Sequence, residues 1–268
     1  MAAGAISVVT VVLDDADGLL RTANSLQEQY IKAEWIVIDG GSSDRTLEVL
    51  EALGSRVIWT SERDEGIYDA MNKGVRRASG DYVVFMNAGD VFFDKGTLQR
   101  VVEKLGAARS PVDMLCGGAI LAFPRGREIY RPPKDIDNYI WHGLPSIHQA
   151  TFYRSFLLKE VPYDLRYVIC GDYYLAAVLY LKGANMAYLD VPLAKFSIGG
   201  ASYLRRRKLF MEPYWIQRDL LMMPLAMRLL SMAKRLIATI GFVLLANDFG
   251  LAWLRVSGEA ILSTSKRE

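Results

Sequence analysis

Short β-rich runs alternate with stretches of helical apolar spacing through the first ninety residues, and this alternation restricts the chain to few architectures. Strands are expected over residues 6–12 (ISVVTVV), 35–38, 56–60 and 82–86. Between them, helices are expected over about 18–29, from about 45 onward with Leu47, Leu50 and Leu53 inward, and over 66–78, where Ile67, Ala70, Met71, Val75 and Ala78 recur at helical spacing. Ser43 or Asp44 is placed to cap the second helix. Parallel strands need crossover connections, and these helices supply them. The expected fold class is therefore α/β, a doubly wound sheet flanked by helices.

In such a sheet ligands bind beyond the carboxyl ends of the strands, where strand order reverses. The expected exits carry Thr10, Asp39, Asp64 and the run from Asn87 to Asp90. No exit has the Gly-x-Gly-x-x-Gly turn of dinucleotide sites, and no Gly-x-x-x-x-Gly-Lys-Ser/Thr loop occurs, which argues against hydride transfer and P-loop chemistry. Residues 111–200 are less regular, with a strand-like stretch at 114–123, a loop containing Pro132 and Pro133, and a helical run at 172–182.

The chain has 32 basic and 30 acidic residues, yet 11 basic and 5 acidic ones lie in 205–268, against 21 and 25 before. The acidic first part is a poor surface for nucleic acid, whereas the basic tail suits an anionic membrane surface. Two domains are expected, 1–204 catalytic and 205–268 helical, with Pro224 separating two helical pieces of the tail. The uncharged stretch at 236–246 is 11 residues long, far below the roughly 20 a spanning helix needs. Two readings stay open for the tail: helices lying in the headgroup region, or helices packed on the catalytic domain or on a second copy in a homo-oligomer. Residues 1–4 lack signal-peptide features, and two cysteines, Cys116 and Cys170, are too few for a disulfide framework. The expected location is cytoplasmic, with peripheral attachment to the inner face of the plasma membrane if the tail binds lipid.

Four motifs carry a family likeness: IDGGSSDRT at 38–46, DEGIYDAMNKG at 64–74, FMNAGD at 85–90 and HQATFYR at 148–154. In this order they resemble the family-2 glycosyltransferases, which have a GT-A fold and use nucleotide-diphosphate sugars; the likeness covers about residues 6–202. It implies an inverting transfer from such a donor, a UDP-sugar as first expectation, to a hydroxyl of a glycan or lipid-linked saccharide in bacterial polysaccharide biosynthesis.

The resemblance also assigns roles. Asp90 is the implied ligand of Mg²⁺ or Mn²⁺, which stabilises charge growing on the departing diphosphate. Asn87 and Gly89 stand where the family often has acidic residues, so the site is poorer in charge; read alone, all three are turn formers. Asp39 and Asp64 match nucleotide contacts, Thr10 and Val11 would flank the base, and Leu13-Asp14 replaces a frequent Tyr-Asn. Asn72 and Lys73 would reach the nucleotide-sugar, although Lys73 four residues after Asp69 also suits a helical ion pair. His148-Gln149 resembles the family's motif in the floor of the donor-sugar or acceptor pocket, although a lone histidine is also often just a satisfied polar group. Asp172 matches the catalytic base, a position equally suited to capping a helix. Only His142 and His148 are present, so no late histidine serves a metal. A glycine loop at 197–202 followed by basic residues 205–208 fits either a closing lid or a plain turn. Two rivals remain: a sugar-phosphate nucleotidyltransferase, whose glycine-rich loop is replaced here by LDDADG at 13–18, and a non-catalytic nucleotide-sugar-binding module at the membrane.

Overall fold

The computed structural model describes residues 4–123, 126–197, 206–246 and 260–261. The chain runs β1 (Ile6–Val12), α1 (Ala16–Gln27), β2 (Glu34–Asp39), α2 (Thr46–Leu53), β3 (Ile58–Ser61), α3 (Ile67–Arg77), β4 (Tyr82–Phe85), β5 (Val91–Phe92), α4 (Thr97–Gly106), β6 (Met114–Ala122), β7 (Glu128–Arg131), α5 (Ile136–Tyr139), β8 (Thr151–Arg154), α6 (Ser155–Glu160), α7 (Gly171–Leu181), β9 (Met186–Ser197), α8 (Arg206–Asp219), α9 (Leu225–Ala246) and β10 (Ala260–Ile261). The loop expected at 197–202, and Arg205, lie beyond Ser197 outside the described residues.

The sheet follows the order β10-β7-β6-β8-β4-β1-β2-β3, with β9 joined to β5 and β6. The four strands expected from the sequence are mutually parallel. From β8 onward the sheet is mixed: β8 runs antiparallel to both β4 and β6, while β9 runs parallel to β6. This α/β sheet flanked by helices agrees with the expected class.

β1 is buried along its whole length because both faces are covered, as parallel strands require. Val8 and Val12 pack with Leu19, Ala23 and Leu26 of α1. Val9 and Val11 pack with Met71 and Val75 of α3 on the other side. Strand order reverses at β1, with β2 on one flank and β4 on the other. The crevice beyond Val12 and Phe85 is therefore where this topology binds ligand.

The antiparallel half adds what the alternation pattern did not foretell. Val84 pairs with Phe152 and Val83 with Tyr153, so the residues just after β4 lie beside those just before β8. The short 3-10 turn His148–Ala150 is thereby brought to the exit of β4.

The tail helices are not set apart from the body. In α8, Glu212, Ile216 and Gln217 are buried. Pro224 follows α8 and accepts the Arg228 N–H at the start of α9, which places it between the two pieces as expected. α9 turns polar groups inward: Ser231 is buried, and the Arg235 guanidinium donates to the His142 carbonyl. Outward it shows Leu225, Leu229, Leu230, Leu236, Ile237 and Ile240. No helix among the described residues is long and apolar enough to cross a membrane.

Candidate active site

At the meeting of the β4 and β8 turns, side chains form two adjoining links. Asn87 Nδ2 lies 3.1 Å from His148 Nε2, and His148 Nδ1 lies 3.1 Å from Asp172 Oδ2. The next residue, Gln149, donates through Nε2 to Asp90 Oδ2 at 2.9 Å. One dipeptide thus touches both carboxylates expected to carry the chemistry. Asp90 itself is held by its turn, its N–H bonded to Asn87 O and its carbonyl accepting from Thr22 Oγ1. Gly89 has φ of +91°, a conformation in which an aspartate side chain is strained. This accounts for glycine where the family frequently has an acid.

Burial raises the Asp172 carboxyl, but the charge and hydrogen bond of His148, helped by the nearby Tyr68 hydroxyl, reverse that effect and hold it below its ordinary value. His148 responds in kind: burial pulls the imidazole down, and Asp172 raises it above its ordinary value. The pair is an ion pair at mildly acidic pH. Oδ1 of Asp172 is buried with no hydrogen-bond partner; in the ion pair both ring nitrogens of His148 donate, so Asn87 presents its amide oxygen to Nε2. The Tyr153 and Tyr163 hydroxyls are also unpartnered, and the Asp172 charge adds to the burial that raises both phenols. Asp90 sits above its ordinary value because burial outweighs help from Gln149.

A residue the sequence did not single out anchors this arrangement. Glu212 of α8, almost fully buried, accepts the backbone N–H groups of Val168, Ile169 and Cys170 at 3.0, 2.9 and 2.8 Å. These three N–H groups immediately precede α7, so Glu212 fixes the start of the helix whose second residue is Asp172. Tyr68 of α3 donates to Ile169 O at 2.7 Å. A Cβ on Gly171 would lie 2.7 Å from the Tyr68 ring, so only glycine admits that ring. The helix-cap alternative for Asp172 is not realised: Cys170 occupies the cap position and Asp172 lies in the first turn.

On the other side of the crevice, several expected ligand contacts are turned inward. Thr10 lies within β1 rather than at its exit, fully buried, and its hydroxyl accepts from Trp35 Nε1 at 3.0 Å. Val11 is packed in the core. Asp39 is fully buried and accepts from Gly41 N, Ser42 N and the hydroxyls of Ser42 and Ser61. Asn72 binds both backbone groups of Tyr163, at 2.9 and 2.8 Å. Lys73 donates to Arg63 O and pairs with Glu62 and Asp69. Each of these five side chains packs in the core or has a protein partner, whereas direct contact with a ligand stays an expectation for them. Asp64 differs: Oδ1 accepts from Gly66 N, while Oδ2 faces Gly40 at the end of β2. The cleft beside the β1 and β2 exits, about 400 Å³, is lined by Asp14, Asp15, Asp17, Asp44 and Glu48 against Arg45 alone, a poor environment for phosphate.

The family profile described as glycosyl transferase family 2 matches residues 7–172. The chain belongs to that family. A PGL/p-HBAD biosynthesis glycosyltransferase of Mycobacterium bovis is 32% identical over 210 residues, 75% of this chain and 80% of its own length. Among solved structures, the mannosyltransferase PcManGT of Pyrobaculum calidifontis, in complex with GDP-Man and Mn²⁺, aligns over 95% of this chain and 76% of its own, with TM-score 0.65 and 17% identity. Staphylococcus aureus TarS with UDP-GlcNAc aligns over 74% of this chain and 59% of its own, with TM-score 0.62 and 19% identity. At such identities the structural likeness concerns the fold, which these glycosyltransferases share.

In this glycosyltransferase the residues around Asp90 fit a sparse cation site. No cluster of three His, Cys, Asp or Glu side chains able to hold a metal occurs among the described residues. Asp90 is buried without a Lys or Arg partner. A divalent ion would relieve that unbalanced charge, taking its other ligands from phosphate oxygens and water.

Proposed function

We propose that the enzyme transfers a sugar, with inversion, from a nucleotide-diphosphate donor to a hydroxyl of a glycan or lipid-linked saccharide in bacterial polysaccharide biosynthesis. A UDP-sugar is the first candidate donor. The observation that carries this reading is the state of Asp172: one oxygen held by His148, the other buried and unpartnered. A buried acceptor atom with no protein partner can take a donor from water or ligand, and the acceptor hydroxyl is such a donor.

Oδ1 of Asp172 then takes the hydroxyl proton as that oxygen bonds to the anomeric carbon. The bond from that carbon to the diphosphate oxygen breaks, and the diphosphate departs with the electron pair. His148 keeps Asp172 ionised and oriented. Gln149 and the Asn87 turn position Asp90, which with Asp64 and Asn87 faces the donor. Mg²⁺ or Mn²⁺ held at Asp90 supplies positive charge to the leaving diphosphate. The PcManGT complex with GDP-Man and Mn²⁺ supports such a donor and ion. The outward apolar side of α9 supports a cytoplasmic enzyme resting on the inner face of the membrane.

The test is a panel of UDP-, GDP- and dTDP-sugars scored by thermal stabilisation with and without Mn²⁺, followed by NMR of the anomeric configuration of the product. One nucleotide series stabilising the protein more with Mn²⁺, and a product of inverted configuration, are expected. A retained configuration contradicts the reading, as does pyrophosphate release from a sugar phosphate and a nucleoside triphosphate.

A further inference from the structure

Asp172 also lines a second cavity, of about 170 Å³, that the mechanism above leaves unused. Its other polar walls are Arg131 at the end of β7, Tyr139 and His142 after α5, Tyr173 of α7 and Arg235 of α9. A volume near six times the roughly 30 Å³ share of one water accommodates a head group rather than a saccharide.

The charges on these walls are unbalanced. Arg235 donates to the His142 carbonyl and lies 5.8 Å from the Tyr173 ring, but it pairs with no carboxylate among the described residues. Burial depresses the Arg235 guanidinium, and the charge of Arg131 adds to that. The His142 imidazole is pushed down to about 4 by burial and by Arg235, Lys234 and Arg131, so it is neutral at pH 7. The one carboxylate of the cavity, Asp172, is committed to His148. With Asp172 matched by His148, the two guanidiniums facing this small cavity leave an excess of positive charge that favours an anion, and the guanidinium fork matches phosphate oxygens.

We propose that this cavity is an acceptor subsite in which Arg131 and Arg235 hold a phosphate group of the acceptor while its hydroxyl is directed to Asp172. The proposal rests on Asp172 as the base. The shared chemistry is a phosphate ester, carried either by a soluble sugar phosphate or by a lipid-linked saccharide phosphate reaching the cavity beside α9, where Leu236, Ile237 and Ile240 are exposed; polyprenyl phosphate, which has no sugar hydroxyl, probes the phosphate contact alone.

The test is calorimetric titration of the full chain with a soluble hexose 6-phosphate and, separately, with phosphatidylcholine vesicles with and without polyprenyl phosphate. Binding of at least one phosphate probe is expected, weakened at least about tenfold (~1.4 kcal/mol) in Arg131→Gln, with donor-sugar affinity changed by less than about twofold. Arg235→Lys, which keeps the buried charge but loses the fork, is expected to weaken it also. Saturation by the hexose phosphate assigns a soluble acceptor; a response only to polyprenyl phosphate vesicles assigns a lipid one. If neither probe binds, or both variants bind like the parent protein, the subsite is wrong. Asp172→Asn separates the two claims: it is expected to bind the probe but not transfer sugar. Turnover by that variant with arginine-dependent binding intact would remove the base and leave the subsite standing.

Discussion

Around the exits of β1, β2 and β3 most polar side chains are tied to protein partners, Thr46 and one oxygen of Asp64 apart, whereas the carboxylate and phenols around β4, β8 and α7 are left open. Asp39 accepts from two backbone N–H groups and two hydroxyls, and Asn72 spends its whole amide on Tyr163. Across the crevice, Oδ1 of Asp172 and the Tyr153 hydroxyl are buried and unpartnered. Buried polar groups with complete sets of partners hold the scaffold, and one lacking a protein partner is free to take a water or a ligand. The two groups of side chains therefore differ in what they have left to offer a ligand, although the same family motifs contain both.

Glu212 tests the open side most severely. Glu212→Ala strands three N–H groups at the start of α7, and a loss of about 3 kcal/mol or more in stability is expected by denaturant unfolding. A fall in kcat of roughly 10- to 100-fold is expected with it, at unchanged donor affinity, because Asp172 loses its fixed position. Glu212→Gln retains an acceptor oxygen and should recover part of both. Normal turnover in Glu212→Ala would show that α8 braces the fold without positioning the base.

Asn72 tests the closed side. Asn72→Ala removes two buried hydrogen bonds, and a loss of about 2 kcal/mol is expected, with the KM for donor within about twofold of the parent value. A KM that rises tenfold at unchanged stability would return Asn72 to the ligand.

The smallest effect concerns pH. His148 lies above its ordinary 6.5, so its contribution to stability is complete below that pH and fades as pH rises through the folded value. Asp172 lies below its ordinary 3.8, so its contribution is complete above that pH and fades as pH falls through the folded value. The Tm gap between the parent protein and His148→Gln should therefore be widest between these two values and narrow as pH rises through the folded value of His148. A gap independent of pH would show that the pair contributes through packing alone.

The parallel half of the fold was legible in the sequence because its signals are local: β1 has the bounds read from ISVVTVV, and α3 follows its apolar spacing to within a residue or two. In the mixed half, which the GT-A resemblance implied, β6 and α7 follow the stretches read at 114–123 and 172–182, but the strand pairing was not legible. β5 and β7 are too short to show a pattern, and β9 is defined by pairing with β6, some seventy residues earlier. The site divides in the same way. Asp90, His148 and Asp172 carry recognisable motifs, but their linkage depends on the antiparallel register of β4 and β8. Glu212 sends no local signal, because its partners lie 42 to 44 residues earlier. Thr10 and Asp39 were placed in the correct strands, yet the hydrogen bonds that occupy them come from Trp35, Ser42 and Ser61 and follow only from the folded arrangement.

The account rests on the open oxygen of Asp172, and Asp172→Asn tests it most directly, since the amide keeps the shape but loses the capacity to take a proton. With the donor series identified, turnover and donor affinity are measured on the same protein. A drop in kcat of about 10³-fold or more is expected, with the Kd for donor within about threefold of the parent protein. Turnover within tenfold of the parent would contradict the assignment and move the base elsewhere in the crevice.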